Sequence, residues 1–268
     1  MDKILVSYLF TKFDSNDAIL KFLKNYSRYK SGVKHKLLIC FKLLDKQKII
    51  SLRSLLKNFN YIEFIDPSSL NDYDFGSYKR IAQKYPKYKI FFICGHSYPV
   101  VNNWLKKILK YYKKNSLVGS NGSYESILSS LKIKKFYKFY KYIFNYVNYF
   151  FKFNSFPNPH IRTNAFLIKG KDFLIFTRNR IFNTKEDAWV AESGKNSLTN
   201  FFKNKNFNIF IINSDGAKFD ISSFHKSETY CYKRSSKSLI SDKHLRKYSL
   251  LKTKEKLIFQ QKVWGKIL

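Results

Sequence analysis

Two acids stand side by side in "TKEDAWVAESGKNSLTNFF", residues 184–202: Glu186 and Asp187. A carboxylate at the rim of a cleft can take the proton of a hydroxyl as its oxygen attacks an electrophile, which is general-base chemistry. The pair is equally good helix chemistry, because Thr184 suits an N-cap and acids in a first turn are favoured by the helix dipole. "NDYDFGSYKRIAQKY" puts Asp74, Gly76, Ser77 and Tyr78 where a loop opens a helix, with Lys79 and Arg80 beside them. Glycine permits the tight turn, and a helix start offers free N–H groups to a phosphate. A capped loop without a ligand fits the same residues. "FFICGHSYP" ends an apolar run in His96 and Ser97, two groups able to hydrogen-bond an anion; an ordinary loop histidine fits as well. In "NPHIRTNAFLIKG", His160, Arg162 and Asn164 alternate with Ile161, Thr163 and Ala165, so a strand would bring three polar groups to one face, whether for a ligand or for water.

The elements that must position these residues follow a simple rhythm. "KILVSYLF", "HKLLICFKLL", "YIEFI", "YKIFFICG" and "SLVGS" read as strands. Between them, "SNDAILKFLKNYSRYK", "DKQKIISLRSLLKNF", "GSYKRIAQKY" and "VVNNWLKKILKYYKK" read as helices. Such alternation implies βαβ units and an α/β fold: a Rossmann-like, mostly parallel sheet flanked by helices. Ligands of such sheets sit beyond the carboxyl ends of the strands, so the loops after Phe10, Leu44, Ile65 and Cys94 should line any site. "LKIKKFYKFYKYIFNYVNYFFKF" breaks the rhythm. It lies in a stretch, residues 126–171, without a single acid, and reads as a basic aromatic helical insertion over about 127–153. "IRTNAFLIKG" reads as a further strand, "DAWVAESGKNSLTNFFKNK" as one helix despite Gly194, and "FNIFIINS" as the last clear strand. The tail after Asp215 is polar, and "KTKEKLIFQQKVWGKIL" reads as a terminal helix anchored by Trp264.

The 268 residues carry 51 Lys plus Arg against 18 Asp plus Glu, a formal charge of +33 that favours phosphates, nucleotides, anionic lipid or nucleic acid as partners. Lys, Ile, Asn, Phe and Tyr are abundant together, which coding bias toward A and T also produces. With 27 Phe and 20 Tyr there is ample material for a core, so disorder is excluded. Cys40, Cys94 and Cys231 are widely spaced with no C-x-x-C, which points to neither a zinc site nor a disulfide framework and suits a reducing cytoplasm. "MDKILVSYLFTKFD" reads as a first strand rather than a signal peptide, and no apolar run approaches the roughly 18 residues of a membrane span.

In their order and spacing these segments resemble the GT-A glycosyltransferases, above all the broad inverting family 2. "TNAFLIKGKDF" is similar to that family's Asn- and Phe-containing strand, and a Glu-Asp pair opening a helix follows it. More narrowly, "DFGSYKRIA", "NPHIRTNAFLI" and "KEDAWVAESGKNSLT" resemble a set of bacterial glycosyltransferase-like proteins that also carry an uncharged motif in place of Asp-x-Asp. The resemblance covers roughly residues 1–215, as a GT-A-like domain, and leaves 216–268 as an extension whose terminal helix packs on it.

The resemblance implies Asp187 as catalytic base with Glu186 supporting it, and Asp74, Gly76, Tyr78, Lys79, His96 and Ser97 around a nucleotide-sugar donor. His160, Arg162 and Asn164 would face a glycan or lipid-linked acceptor in cell-surface polysaccharide synthesis. Mg²⁺ or Mn²⁺ usually serves the leaving diphosphate, but Gly95-His96-Ser97 replaces the acidic motif, so no metal ligand is assigned. Lys79, Arg80 and His96 are the substitutes for its charge. The basic aromatic insertion suits an anionic membrane surface, at the inner face of the cell membrane, or else packs its rings on the sheet. Two other classes remain open: a single-stranded nucleic-acid binder, disfavoured because the basic residues form no single stripe, and an inactive transferase-like scaffold.

Overall fold

The structure is a computed structural model and describes residues 3–132 and 139–265. In chain order the elements are β1 (Ile4–Thr11), α1 (Asn16–Arg28), β2 (Lys36–Lys42), α2 (Lys46–Leu56), β3 (Ile62–Ile65), α3 (Tyr73–Lys84), β4 (Lys89–Ile93), β5 (Tyr98–Pro99), α4 (Trp104–Leu109), β6 (Ser116–Gly119) and β7 (Gly122–Ser123). There follow α5 (Phe139–Lys152), β8 (His160–Ile161), β9 (Ala165–Lys169), α6 (Gly170–Thr177), α7 (Lys185–Ser193), α8 (Leu198–Lys203), β10 (Asn208–Ile212) and β11 (Lys218–Asp220). A 3₁₀ turn (Ile221–Ser227), β12 (Ile240–Ser241), α9 (Lys243–Leu250) and α10 (Thr253–Trp264) complete the chain.

Eight strands form the main sheet in the order β11-β10-β6-β9-β4-β1-β2-β3. Its left and right parts are parallel, while β9 runs against both β4 and β6 and β11 runs against β10. A mixed α/β fold with a large, mostly parallel sheet is therefore what the alternating pattern builds. The strands read as continuous apolar runs because both faces are covered. In β1, Leu5 and Leu9 enter one apolar layer, whereas Val6, Tyr8 and Phe10 enter the other.

Several elements differ from the expectation. "VVNNWLKKILKYYKK" yields only α4, which starts after Asn103 in the left-handed region, φ 59°. The long helix expected across Gly194 is two helices. Gly194 ends α7, a Cβ there would lie 2.6 Å from the Val190 carbonyl oxygen, and Ser197 caps α8 by accepting from the Asn200 N–H. "KGKDFLIFT" turns from strand to helix at Gly170, where a Cβ would lie 2.5 Å from the Tyr85 carbonyl. The insertion at 127–153 is helical over α5, which buries none of its residues; residues 133–138 of it lie outside the described residues. The tail holds more order than its periodicity suggests. β12 pairs with β5, the Tyr124 N–H donates to the Val263 carbonyl at 2.8 Å, and Trp264 Nε1 donates to the Tyr230 carbonyl at 3.2 Å.

One ion network fixes α3 against the ends of β2 and β3. Arg80 reaches Asp66 at 2.6 Å and Asp72 at 2.5 Å, and Lys42, almost fully buried, reaches Asp72 at 2.5 Å and the Tyr73 carbonyl. Ser77 Oγ donates to Asp66 at 2.5 Å. Gly76 leaves the room this requires, since a Cβ would stand 2.0 Å from the Asp72 carboxylate. Gly76→Ala should therefore pull Asp72 from both cations and cost about 2–4 kcal/mol in urea unfolding. A loss below about 0.5 kcal/mol, the range of an ordinary surface substitution, would show that the network does not hold the helix.

Candidate active site

The carboxyl ends of β1 and β4 meet at Asp14 and His96. Asp14 accepts from Thr11 N and Thr11 Oγ1, both at 2.8 Å, and its other oxygen lies 3.1 Å from His96 Nε2. Gly95 permits this approach, because a Cβ would stand 2.4 Å from the Asp14 carboxylate. The buried Tyr8 hydroxyl donates to the Gly95 carbonyl at 2.5 Å and pins the loop from below. Ser97 is buried and holds the turn, its N–H donating to the Cys94 carbonyl at 3.0 Å. The His96 side chain is 40% exposed, so of the two it is the one open to a ligand.

Two further carboxylates lie within electrostatic reach of this edge. Asp74 lies in the first turn of α3, and the protein around it pushes its carboxyl up to about 6. Burial is the main cause; Lys42 opposes it, and the charges of Asp14 and Glu192 add to it. Glu192, in the last turn of α7, accepts from the Thr163 N–H at 3.0 Å. It acts electrostatically on Asp74, His160, Arg162 and His244.

Cations face these acids. Arg162 stands over the Tyr230 ring at 5.5 Å and 3.4 Å from Glu125, while its Nε is buried without a hydrogen-bond partner. Arg246 of α9 donates to the His96 carbonyl at 2.9 Å and lies over the Tyr98 ring at 5.0 Å. Asn164 donates to Asp242, which caps α9 by accepting from the Leu245 N–H at 2.7 Å. His160 is buried, with Nδ1 2.8 Å from the Asn158 carbonyl, and burial lowers its pKa despite the nearby Glu192.

The residues singled out from sequence thus divide. Asp74, His96, His160, Arg162 and Asn164 come together around the strand ends. Tyr78 does not: α3 begins at Tyr73, so Tyr78 falls on the inner face of the helix, its ring fully buried 4.4 Å from that of Phe92. Gly76 is likewise buried and makes room for Asp72, and Ser97 is a turn residue. Lys79 is part-exposed on α3. Arg80, the proposed cationic substitute, is neutralised by Asp66 and Asp72.

Asp187 sits at the other end of α7 from Glu192. It accepts from the Thr184 N–H at 2.8 Å while its own N–H donates to Thr184 Oγ1 at 3.1 Å, a complete capping box. Glu186 pairs with Lys152. Both line a separate hollow of about 280 Å³ with Lys152, Arg180, Ile181 and Phe182.

Sequence reasoning passed over Asp14, Glu192, Asp242 and Arg246. Asp14 follows Phe10, in a loop already placed on the ligand edge, and Glu192 lies inside the quoted "AESG". No comparable signal marks Asp242 or Arg246, whose helix has only a two-residue strand before it.

A hard divalent cation wants several oxygen ligands. The loop after β4 offers one imidazole, and the Asp14 carboxylate already meets two Thr11 donors and His96. Among the described residues no three His, Cys, Asp or Glu side chains are grouped as metal ligands. Asp74 and Glu192 act on this edge through their charge but form no such group with Asp14 and His96, so the donor set does not fit Mg²⁺ or Mn²⁺.

No protein-family model matches the sequence, and no curated sequence matches it either. Solved structures similar to it include glycosyltransferases. The bifunctional WbbM in its apo form aligns with 71% of this chain at 13% identity and a TM-score of 0.40. LgtC, a galactosyltransferase solved with donor and acceptor sugar analogues, aligns with 79% of it at 11% identity and a TM-score of 0.44. Apo GlyE of Streptococcus pneumoniae aligns with 78% at 11% identity and a TM-score of 0.43. The matches span 37%, 74% and 45% of those chains, respectively.

The raised carboxyl of Asp74 has a sign that can be checked. Protonated Asp74 is favoured in the folded state, so this contribution is complete below about pH 4 and is lost as pH rises through about 6. Asp74→Asn should therefore stabilise the protein at pH 7.5, by up to about 2 kcal/mol, and leave it little changed at pH 4. Urea unfolding at the two pH values checks this; a variant less stable at pH 7.5 would contradict the raised value.

Proposed function

We propose that the chain is a GT-A-like glycosyltransferase that moves a sugar from a nucleotide-sugar donor to a hydroxyl acceptor at the carboxyl ends of β1 and β4. The observation that carries this reading is the opposition of the Asp14, Asp74 and Glu192 carboxylates to Arg162, Arg246 and His96 at one edge of the sheet. Transfer needs a proton acceptor for the attacking hydroxyl and fixed positive charge for the departing diphosphate. Glu192 is our choice for the first role, and Arg162, Arg246 and His96 for the second. Asp187, the residue the motif order implies, is the alternative base, and its hollow beside Lys152 and Arg180 supports keeping it in the test. In a single displacement the acceptor oxygen bonds to the anomeric carbon as the bond to the diphosphate breaks, and the sugar inverts.

Release of nucleoside diphosphate, dependent on a sugar donor, is the direct assay. Glu192→Gln should reduce release about 100-fold or more, Asp187→Asn about threefold or less, and EDTA should leave it unchanged. The opposite ranking restores Asp187. Strict Mn²⁺ dependence contradicts the cationic substitute. Salt-sensitive oligonucleotide binding without any release would favour a nucleic-acid binder.

The acceptor side of this reading is a lipid-linked or cell-envelope glycan, met at a membrane surface. Helix α5 supports it: Tyr140, Phe144 and Phe151 are 65%, 73% and 71% exposed, with Lys141 on the same helix and Lys152, paired with Glu186, at its end. A second copy would bring another +33 charge against it, whereas anionic lipid complements both the rings and the lysines. No helix among the described residues is long and apolar enough to cross a membrane. The protein should float with vesicles containing phosphatidylglycerol and not with pure phosphatidylcholine, and Phe144→Ser with Phe151→Ser should abolish flotation. Unchanged flotation of that double variant would remove α5 from the interface.

A further inference from the structure

At the amino ends of β2 and β3, on the opposite edge of the sheet from the candidate active site, lies a hollow of about 570 Å³. The last turn of α1 contributes Tyr26 to it, the loop before β2 contributes Lys30 and His35, and the turn after α2 contributes Asn58, Phe59 and Asn60. The loop from Tyr29 to His35 is fixed from behind. Trp104 Nε1 donates to the Tyr29 carbonyl at 3.1 Å, the Asn103 N–H to the Lys30 carbonyl at 2.7 Å and the Lys106 N–H to the Ser31 carbonyl at 3.0 Å. The Lys30 N–H in turn donates to Asn102 Oδ1 at 3.0 Å. Gly32 makes this approach possible, since its φ is 79° and a Cβ there would stand 2.4 Å from Asn103 Oδ1. A hollow with one wall held this way is preformed, which spares a ligand the entropy of ordering it.

The chemistry of its lining is polar but nearly uncharged. Among the eight lining residues Lys30 is the only lysine, arginine, aspartate or glutamate, in a chain of 51 Lys plus Arg. His35 Nδ1 lies 3.0 Å from the Val33 carbonyl, which can only accept, so Nδ1 carries the proton. Burial lowers the His35 pKa, so the ring is neutral at pH 7 and its Nε2 accepts from the Tyr26 hydroxyl at 2.5 Å. The Tyr26 oxygen keeps lone pairs with which to accept from a ligand hydroxyl. The Asn58 and Asn60 side chains are exposed, and each amide can donate and accept at once, as neighbouring hydroxyls on a ring require. Tyr26 and Phe59 add aromatic surface for C–H groups. A single cation does not select an anion, and so many amide and hydroxyl groups do not select an apolar ligand. A neutral molecule with hydroxyls at its edge and C–H groups on its faces matches both halves of the lining, and a sugar is such a molecule.

We propose that this hollow is a second saccharide site, which holds a neutral glycan segment away from the point of transfer. The choice of a glycan over another polyol rests on the sugar-transfer reading, but the test needs no turnover. Saturation-transfer NMR of the full chain with maltohexaose, chitohexaose and mannohexaose, one at a time, measures it. Saturable binding of at least one is expected. Asn58→Ala with Asn60→Ala, two exposed positions, should weaken it about fivefold or more, and Tyr26→Phe, which keeps the ring, should weaken it in the same direction. Arg246→Ala, at the other edge of the sheet, should leave it within about twofold. Loss in Arg246→Ala with none in the amide variant would move the sugar to the strand ends and overturn the proposal. Displacement of the saccharide by a short oligothymidylate at fixed ionic strength would make the hollow part of a nucleic-acid surface and overturn it as well. So would the absence of saturable binding by all three saccharides. Donor-dependent release of nucleoside diphosphate that persists in that last case would show that the second site fails alone and the transferase reading stands.

Discussion

The side chain and backbone of Asn164 hold three parts of the chain to one point. Its carbonyl accepts from the Cys94 N–H at 2.9 Å, its Oδ1 accepts from the Ala165 N–H at 3.0 Å, and its Nδ2 donates to Asp242. The first contact joins the end of β4 to the start of the antiparallel β9. The last brings the C-terminal segment over the strand ends. Asp242 then caps α9, which aims Arg246 at the His96 carbonyl. This amide adds to the Asp14–His96 contact, the Thr163–Glu192 bond and the β5–β12 pairing in tying the segment that carries Arg246 to the acids of β1, α3 and α7.

The acids of this chain are few, and their placement is economical. Asp66 and Asp72 are spent on Arg80 and Lys42, a structural network that seats α3. Asp187 closes a capping box at one end of α7 while Glu192 faces the strand ends from the other. Five residues along a helix turn a side chain by well over a third of a revolution, so the two cannot serve one cleft in the same way. Asp74 carries a cost: its carboxyl is held near 6 by burial and by its acidic neighbours. A fold that tolerates such a group at a sheet edge is spending stability on something other than packing.

The βαβ order was legible because strands buried on both faces read as unbroken apolar runs, as in "KILVSYLF" and "HKLLICFKLL". The edge at the carboxyl ends of the strands followed from it, and His96, Asp74 and Arg162 lie along it. Tyr78 was misplaced by a boundary. The helix begins at Tyr73 rather than at Gly76, and Phe75, Tyr78, Ile81 and Ala82 share the buried face that the spacing marks. Asp187 drew attention because paired acids stand out, whereas Glu192 differs from it only in where the helix ends, and Gly194 sets that through tertiary crowding. The tail was opaque for a different reason. β11 is only a three-residue return on β10, and the two-residue β12 depends on the distant Tyr98 and Pro99, which no local period records.

Hydrogen exchange of the full chain with and without a nucleoside diphosphate measures the central claim most directly, since it reports where the ligand sits without requiring turnover. The account predicts slower exchange in residues 94–98, 160–164 and 240–246, which the Asn164 and Arg246 contacts join. Slowing confined to residues 180–190, around Asp187, with the strand ends unchanged, would contradict it.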